Sequence, residues 1–502
     1  MSTAGRARRT RALEQLSETE FDLLVIGGGI IGSRVAYEAA RAGLRTALVD
    51  AGDFGGATSS ASSKMIHGGL RYLAMYDFGL VHEAHLERRA LLQHVAPHLV
   101  NRLPFLLPLY RHGPYGVPQI AAGLLLYSAM SGFRESTARV VSAARASAMV
   151  PTLKTEDLRG CGLYQDAQVN DGRLCIATVT AAARAGAVVA NYVRVNELRK
   201  AHGQVTSATL SSADDGRSID LRCRAVINAS GPWTDHIRRL EEPGAAPSIR
   251  LSKGIHVTLP VEGSWKAALT VPLDQTRVTF ALPWEGMLLL GTTDTAYEGD
   301  PAAVSAGEDD IASVLREAAT ALPKSMLRRD NVRYAFAGLR ALPLGRGDTA
   351  KSPREHVITV GPAGMVSVAG GKLTTHRRIA LQVLNRLPSS VLPRPVKLDQ
   401  APLPGADLLP ARPSDVDPEL YRHLAHLYGS EVDRVLAYRE SNPDALVRIH
   451  QDGPDIWAQA DYAADEEWAL NPDDILRRRT TVSVRGLATA DLVKRLSARA
   501  VL

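Results

Sequence analysis

The chain has 502 residues, room for two or three domains, and its 45% hydrophobic and 22% charged residues are ordinary for a globular protein with a large core. A net charge of +6 is modest for this length, and much of it comes from Arg6, Arg8, Arg9 and Arg11, so nucleic-acid binding is not indicated. Cys161, Cys175 and Cys223 stand far apart with no C-x-x-C pair and no adjacent histidine, which argues against a disulfide framework and against a metal site.

In chain order, residues 1–19 read as a disordered, arginine-rich leader with no apolar stretch suited to a signal peptide, and the expected location is the cytoplasm. Residues 22–26 form a short apolar, β-branched run suited to a strand buried on both faces. Gly27, Gly29 and Gly32 follow in G-x-G-x-x-G order before an alanine-rich helix. Gly27 permits the tight turn, Gly29 admits a pyrophosphate, Gly32 lets helix and strand pack, and the helix N-terminus offers N–H groups to the anion. A second strand over 45–49 ends at Asp50, the acid placed to accept hydrogen bonds from a ribose and to disfavour a 2′-phosphate. Strand, glycine turn, helix, strand and acid together point to a dinucleotide cofactor.

Residues 57–73 then crowd hydroxyls, Lys64, His67, two glycines and Arg71 next to the second strand, suiting a pyrophosphate and a flat ring; a solvated serine-rich loop reads equally well. The apolar tract 117–130 is too short to span a bilayer and suits either a buried helix or an interfacial one. Residues 187–195, 225–229 and 365–369 look like further strands of the nucleotide domain, so a doubly wound sheet is assembled from separated pieces. Between 252 and 338, candidate strands at 254–259, 277–283 and 287–292 indicate an antiparallel sheet that covers the cofactor. At 370–375, GGKLTT forms a strand-to-helix junction whose N–H groups and Lys372 suit the N1–C2=O edge of a flavin, with a helix starting near Thr374. Residues 387–415, with seven prolines, read as a linker, and 416–502 as a charged helical domain in which Asn471-Pro472-Asp473-Asp474 begins a helix. Arg477, Arg478 and Arg479 follow as a solvated or inter-domain ion-paired face. Arg277, Arg340 and Lys253, in or beside the covering region, imply an anionic substrate because arginine binds phosphate or carboxylate bidentately. His256 is either a satisfied core histidine or a site residue.

With these residues laid out, the chain resembles the FAD-dependent, quinone-linked glycerol-3-phosphate dehydrogenases of the aerobic type. The resemblance rests on VIGGGIIG (25–32), ATSSASSKMIHGGLRYL (57–73), VNDGRL (169–174), NASGPW (228–233), KGIHV (253–257), ALPW and GTTD within 281–294, AGLRAL (337–342), GGKLTT (370–375) and EEWALNPDDILRRRT (466–480). It implies an α/β fold of the glycine-oxidase type: a doubly wound Rossmann-like FAD domain, an antiparallel substrate domain and a C-terminal helical domain. The corresponding division is FAD domain 20–75, 160–250 and 340–386, substrate domain 76–159 and 251–339, linker 387–415 and helical domain 416–502.

The resemblance further implies non-covalent FAD on Gly27, Gly29, Gly32, Asp50, Thr58, Ser59, Ser60, Val193, Gly371, Lys372, Leu373 and Thr374. It places the substrate, sn-glycerol 3-phosphate, at His67, Arg71, His256, Arg277, Arg340 and Lys372, with no metal. The implied reaction moves hydride from C2 of the substrate to flavin N5 while His67 or His256 takes the hydroxyl proton, and passes the electrons to a quinone at the inner face of the cell membrane. Arg340 is followed by Ala341 where the family often has proline. An oxidase reacting with oxygen, a glycine-oxidase-like enzyme for another small anion and a flavin-binding protein without turnover are the competing readings. Oligomeric state stays open, a homodimer included.

Overall fold

The computed structural model describes residues 3–69, 77–132, 138–275, 277–344 and 356–499. Arg71 lies outside them. The elements that position the site are α1 (Thr3–Glu18), β1 (Leu23–Ile26), α2 (Ile30–Arg41), β2 (Thr46–Val49), α3 (Val117–Met130), α4 (Asp171–Arg184), β3 (Val226–Asn228), β4 (Ile249–Pro260), β5 (Met287–Gly291), β6 (Tyr334–Pro343), β7 (Val366–Ala369) and α5 (His376–Leu384).

One sheet runs in the order Val357–Val360, β7, β3, β1, β2, Val188–Ala190. All its pairs are parallel except the antiparallel edge strand Val357–Val360 on β7. β1, β2, β3 and β7 are buried along their whole length, as continuous apolar runs in a doubly wound sheet should be. α2, α4 and α5 pack together on one face over a core that includes Val25, Val35, Leu48, Ile176, Ile379 and Val383.

A second sheet of ten strands covers the carboxyl ends of the first, with β4 between β5 and the strand Thr295–Tyr297 and with β6 also paired to β4. It is antiparallel except where Ala268–Pro272 meets Val100–Tyr110. A four-stranded sheet is built from Glu20–Phe21, Val193–Ala201, Gln204–Ser212 and Ser218–Cys223. Helices from Pro418–Tyr428 to Ala490–Arg499 form the C-terminal domain around Leu424, Val435 and Tyr462 on one side and Trp457, Leu476 and Leu492 on the other.

Several expectations are corrected. The leader is not disordered: α1 buries Leu13 and Leu16 against the four-stranded sheet, and Arg9 pairs with Asp214 at 2.6 Å. Leucines spaced three apart supplied that signal, which the arginines masked. The run 187–195 is two strands, broken at Tyr192, whose φ of 52° turns the chain. Leu158–Val169 and β6 belong to the large covering sheet, so the expected boundaries near 160 and 340 fall inside elements of that sheet. The proline-rich stretch has no regular element but is no free tether, since Leu387, Val391, Leu392 and Leu403 are buried in the nucleotide-domain core.

Candidate active site

The carboxyl ends of β1, β3 and β7 meet the covering sheet at a cavity of about 1400 Å³. At its floor the glycine turn is tight enough that no other residue fits. Gly27 has φ +106°, and a Cβ there would lie 2.6 Å from the Ala229 carbonyl oxygen. At Gly32 a Cβ would sit 1.9 Å from the Gly27 carbonyl oxygen, so α2 can approach β1 only without it. Gly29 caps α2, whose first N–H, on Ile30, donates to Ser59 Oγ at 2.9 Å. Gly28, outside the recognised spacing, is required by the Phe54 ring, 2.3 Å from where its Cβ would be. A helix N-terminus with this open approach and flanking hydroxyls fits a pyrophosphate.

Asp50 lies where the ribose of such a ligand is expected. Its carboxylate accepts from Gly28 N at 2.7 Å and from Gly52 N at 2.8 Å, and burial pushes its pKa up to about 6. Thr58, Ser59 and Ser60 form a 3-10 turn facing the helix start, and Thr58 Oγ1 donates to the Leu339 carbonyl on β6 at 2.6 Å, tying the turn to the covering sheet. Val193, Gly371, Lys372, Leu373 and Thr374 line the same cavity. Gly371 has φ +97°, the helix starts at His376, two residues later than expected, and Thr374 Oγ1 accepts from His67 N at 3.2 Å.

The remaining site residues are assembled by strand register. Ser252 pairs with Arg340, Gly254 with Gly338, and His256 with both Phe336 and Gly291. Each glycine makes room for a functional group. A Cβ on Gly254 would stand 2.4 Å from the Arg340 guanidinium, one on Gly291 2.4 Å from the His256 ring, and one on Gly338 2.5 Å from the Ala61 carbonyl. Arg340 NH1 donates to Ser252 Oγ (3.3 Å) and Thr293 O (3.2 Å), and NH2 to Thr292 Oγ1 (2.9 Å) and Thr293 O (3.2 Å).

The two histidines differ sharply. His256 is 2% exposed, stacks on Phe336 with centroids 5.1 Å apart, and shares a 2.9 Å hydrogen bond through Nε2 with Ser63 Oγ. Burial and the nearby Arg340 and Lys64 charges hold its pKa well below the usual imidazole value. His67 is half-buried on the cavity wall beside Thr374.

Two expected cations are paired with acids. Arg277 is 54% exposed at the cavity rim, bonded to Asp274 and near Glu317, and Lys253 pairs with Asp310 at 2.6 Å rather than lining the cavity. Sequence reasoning also passed over the groups that hold the 62–68 loop. Lys64 Nζ and Ser62 Oγ both donate to Asp171, each at 2.6 Å, and Gly68 N donates to Asp166 Oδ1 at 2.8 Å. Asp171 lies in VNDGRL, a stretch that carried resemblance but no assigned chemistry. Among the described residues no group of three or more metal-ligating side chains is found, and no helix is long and apolar enough to cross a membrane.

Comparison with known proteins agrees with this geometry. Residues 22–377 match the family model of FAD-dependent oxidoreductases, and residues 397–499 the model for the C-terminal domain of alpha-glycerophosphate oxidase. A glycerol-3-phosphate dehydrogenase of Mycobacterium leprae is 37% identical over 97% of this chain and 86% of its own. The structure of the Bacillus halodurans glycerol-3-phosphate dehydrogenase complexed with FAD superposes with a TM-score of 0.78 at 26% identity, covering 98% of this chain and 92% of that one. The glycine oxidase of Bacillus cereus shares the fold alone, at TM-score 0.53 and 17% identity over 74% of this chain and 98% of its own.

Proposed function

The chain belongs to the FAD-dependent oxidoreductases of the glycerol-3-phosphate dehydrogenase family, and from that premise we propose that it oxidises sn-glycerol 3-phosphate to dihydroxyacetone phosphate and delivers the electrons to a quinone. The observation that carries the substrate assignment is Arg340. Its guanidinium is seated over Gly254 and oriented by Ser252, Thr292 and Thr293 at the cavity wall, a fixed positive charge suited to a phosphate dianion. Arg277 at the rim adds attraction for an anion on its way in rather than a second buried clamp.

Bound FAD supplies the two-electron acceptor for hydride from the substrate C2. The chain's own residues do the rest. His67 is the better general base, since its imidazole is half-buried on the cavity wall, whereas burial beside Arg340 and Lys64 weakens His256 as a proton acceptor and its Nε2 is engaged by Ser63. His256 then serves as an uncharged hydrogen-bonding wall of the substrate site. Lys372, with its ammonium shielded from solvent at the strand-to-helix junction, stabilises negative charge that develops on the cofactor's ring edge.

For the acceptor, the supporting feature is α3. It contains no charged residue, exposes Leu125 (59%) and Leu126 (41%), and contributes Ile120, Gly123 and Leu126 to one wall of the cavity. An apolar helix at the mouth favours docking on a lipid surface, at the inner face of the cell membrane, with a quinone arriving from the bilayer. Co-sedimentation with liposomes that is lost in Leu125→Glu/Leu126→Glu tests this; full retention in the variant removes α3 from the interface. The reaction itself is tested by adding sn-glycerol 3-phosphate anaerobically and following flavin absorbance at about 450 nm. Bleaching reversed by a quinone analogue supports the dehydrogenase, recovery by oxygen with peroxide release makes it an oxidase, and no bleaching refutes the substrate.

A further inference from the structure

The outer end of the cavity is closed by the C-terminal helical domain. Asp473, Arg477 and Arg478 line it together with Asp50, Asp53, Tyr192 and Val193. Arg478 and Arg479 reach across the domain boundary to one carboxylate, Asp53, three residues beyond Asp50. Both guanidiniums hold Asp53 in charge-assisted hydrogen bonds, among them Arg479 NH2 to Oδ1 at 2.8 Å, and Asn191 Nδ2 also donates to Oδ1 at 3.1 Å. The arginines are held from behind in turn. Arg478 NH2 donates to Asp474 Oδ1 at 2.8 Å and Arg479 NH2 to the Glu467 carbonyl at 2.6 Å. Tyr192 OH donates to Asp474 Oδ1 at 2.6 Å.

The side chains of Asp53, Arg478, Arg479 and Asp474 are at most 4% exposed, yet two cations face two anions and the buried cluster is balanced. The segment 50–54 is thereby pinned along its length. Asp50 is bonded to Gly28 N and Gly52 N, Asp53 to the two arginines, and the Phe54 ring is wedged between Gly28 and Trp468 of the C-terminal domain, with ring centroids 5.7 Å apart. Asp50 itself is bonded within the nucleotide domain, and the segment that follows it, Asp53 and Phe54, is held from the C-terminal domain.

We propose that Asp53, Arg478 and Arg479 are positioning residues for the cofactor, so that the C-terminal helical domain sets how tightly FAD is held by fixing the ribose-binding carboxylate of Asp50. The proposal rests on the FAD assignment and goes beyond it, because it makes a domain outside the dinucleotide fold part of the cofactor site. It differs from plain domain adhesion in a way that can be measured. A second buried ion pair, Arg173 to Glu467 at 2.7 Å, crosses to the same C-terminal domain with both side chains at most 6% exposed, and neither residue lines the cavity.

The test compares release of FAD from diluted holoprotein, read as the rise of free-flavin fluorescence, in wild type, Arg478→Gln, Arg478→Lys and Arg173→Gln, with thermal midpoints measured alongside. Both glutamine variants lose a buried inter-domain ion pair and both lower the midpoint. The expected result is FAD release at least tenfold faster in Arg478→Gln, within twofold of wild type in Arg173→Gln, and intermediate in Arg478→Lys, which keeps the charge and loses the fork. Equal acceleration in the two glutamine variants, or none in Arg478→Gln, overturns the proposal. Should Arg478→Gln fail to fold, Arg478→Lys against Arg173→Gln decides by the same criterion. The wild-type holoprotein gives the reference rate, so a failure of the FAD assignment itself appears there and not in the variants.

Discussion

Replacing Arg340 by lysine keeps the positive charge and removes the fork, which separates the two ways a cation can hold a phosphate. Among the described residues the guanidinium makes four hydrogen bonds, to Ser252, Thr292 and twice to the Thr293 carbonyl, that fix its plane at the cavity wall. A lysine ammonium puts three donors on one atom and cannot satisfy that set while also meeting a phosphate side-on. The substrate then loses one charged hydrogen bond. A hydrogen bond to a charged group contributes about 1.5–3 kcal/mol. The side chain is 22% exposed, so water screens part of this and the lower half of the range applies, about 1.5–2 kcal/mol. At 1.4 kcal/mol per decade that is roughly a 10- to 30-fold loss in kcat/KM, carried mainly by KM. Steady-state turnover with a quinone analogue and anaerobic bleaching with sn-glycerol 3-phosphate both report it. A KM within about threefold of wild type in Arg340→Lys would refute the assignment of the phosphate to this guanidinium.

Gly32→Ala places a Cβ 1.9 Å from the Gly27 carbonyl, so α2 must move off β1; overpacking costs about 1–3 kcal/mol, against which the helix gains about 1 from alanine. The variant should purify with little FAD, and full FAD occupancy would show that the turn tolerates the shift. Asp50, with its pKa pushed up to about 6, should make FAD binding pH-dependent. Ribose hydroxyls donate to the ionised carboxylate, so affinity is full above the apoprotein's pKa and falls as the pH drops through about 6. FAD titrations of apoprotein between roughly pH 5 and 8 should show that fall, and Asp50→Asn should flatten it; an equal slope in the variant would exclude Asp50. His67→Asn should slow anaerobic bleaching by about 10²–10⁴, the usual worth of a general base, while His256→Gln stays within about tenfold. The reverse order would make His256 the base.

How much of this site could be read from residues alone depends on the range of the interactions that build it. The dinucleotide-binding half was legible because its pattern is local: Gly27, Gly29 and Gly32 fall within six residues between a strand and a helix, and Asp50 follows one strand later. The same locality made GGKLTT legible at a strand-to-helix junction. Gly28 was missed because its partner, Phe54, is 26 positions away and belongs to no spacing rule. The leader was misread because its arginines outweighed the Leu13 and Leu16 spacing, and the sheet that buries those leucines and the Asp214 that pairs with Arg9 lie far along the chain. Arg277 and Lys253 looked like substrate cations by residue type, and only the folded chain shows Arg277 paired with Asp274 three residues back and Lys253 with the distant Asp310.

The substrate side of the cavity was legible as a list of residues and not as an arrangement, and strand register is the reason. Neighbours across an antiparallel pair are set by which residue stands opposite which, and a slip of one turns every side chain to the other face. In this register Gly254, Gly291 and Gly338 fall where the Arg340 guanidinium, the His256 ring and the Ala61 backbone need the space. Those glycines look like strand weaknesses in a sequence. Here they are clearances, and they tie the covering sheet to the nucleotide domain: Gly338 lets the 57–64 loop lie against β6, and Thr58 on that loop bonds the Leu339 carbonyl. The 57–64 loop and Arg340 are thus carried by adjacent residues of one strand, 339 and 340. A change of register in β6 would displace both together, so substrate and cofactor affinities should fall together in variants that fill Gly338.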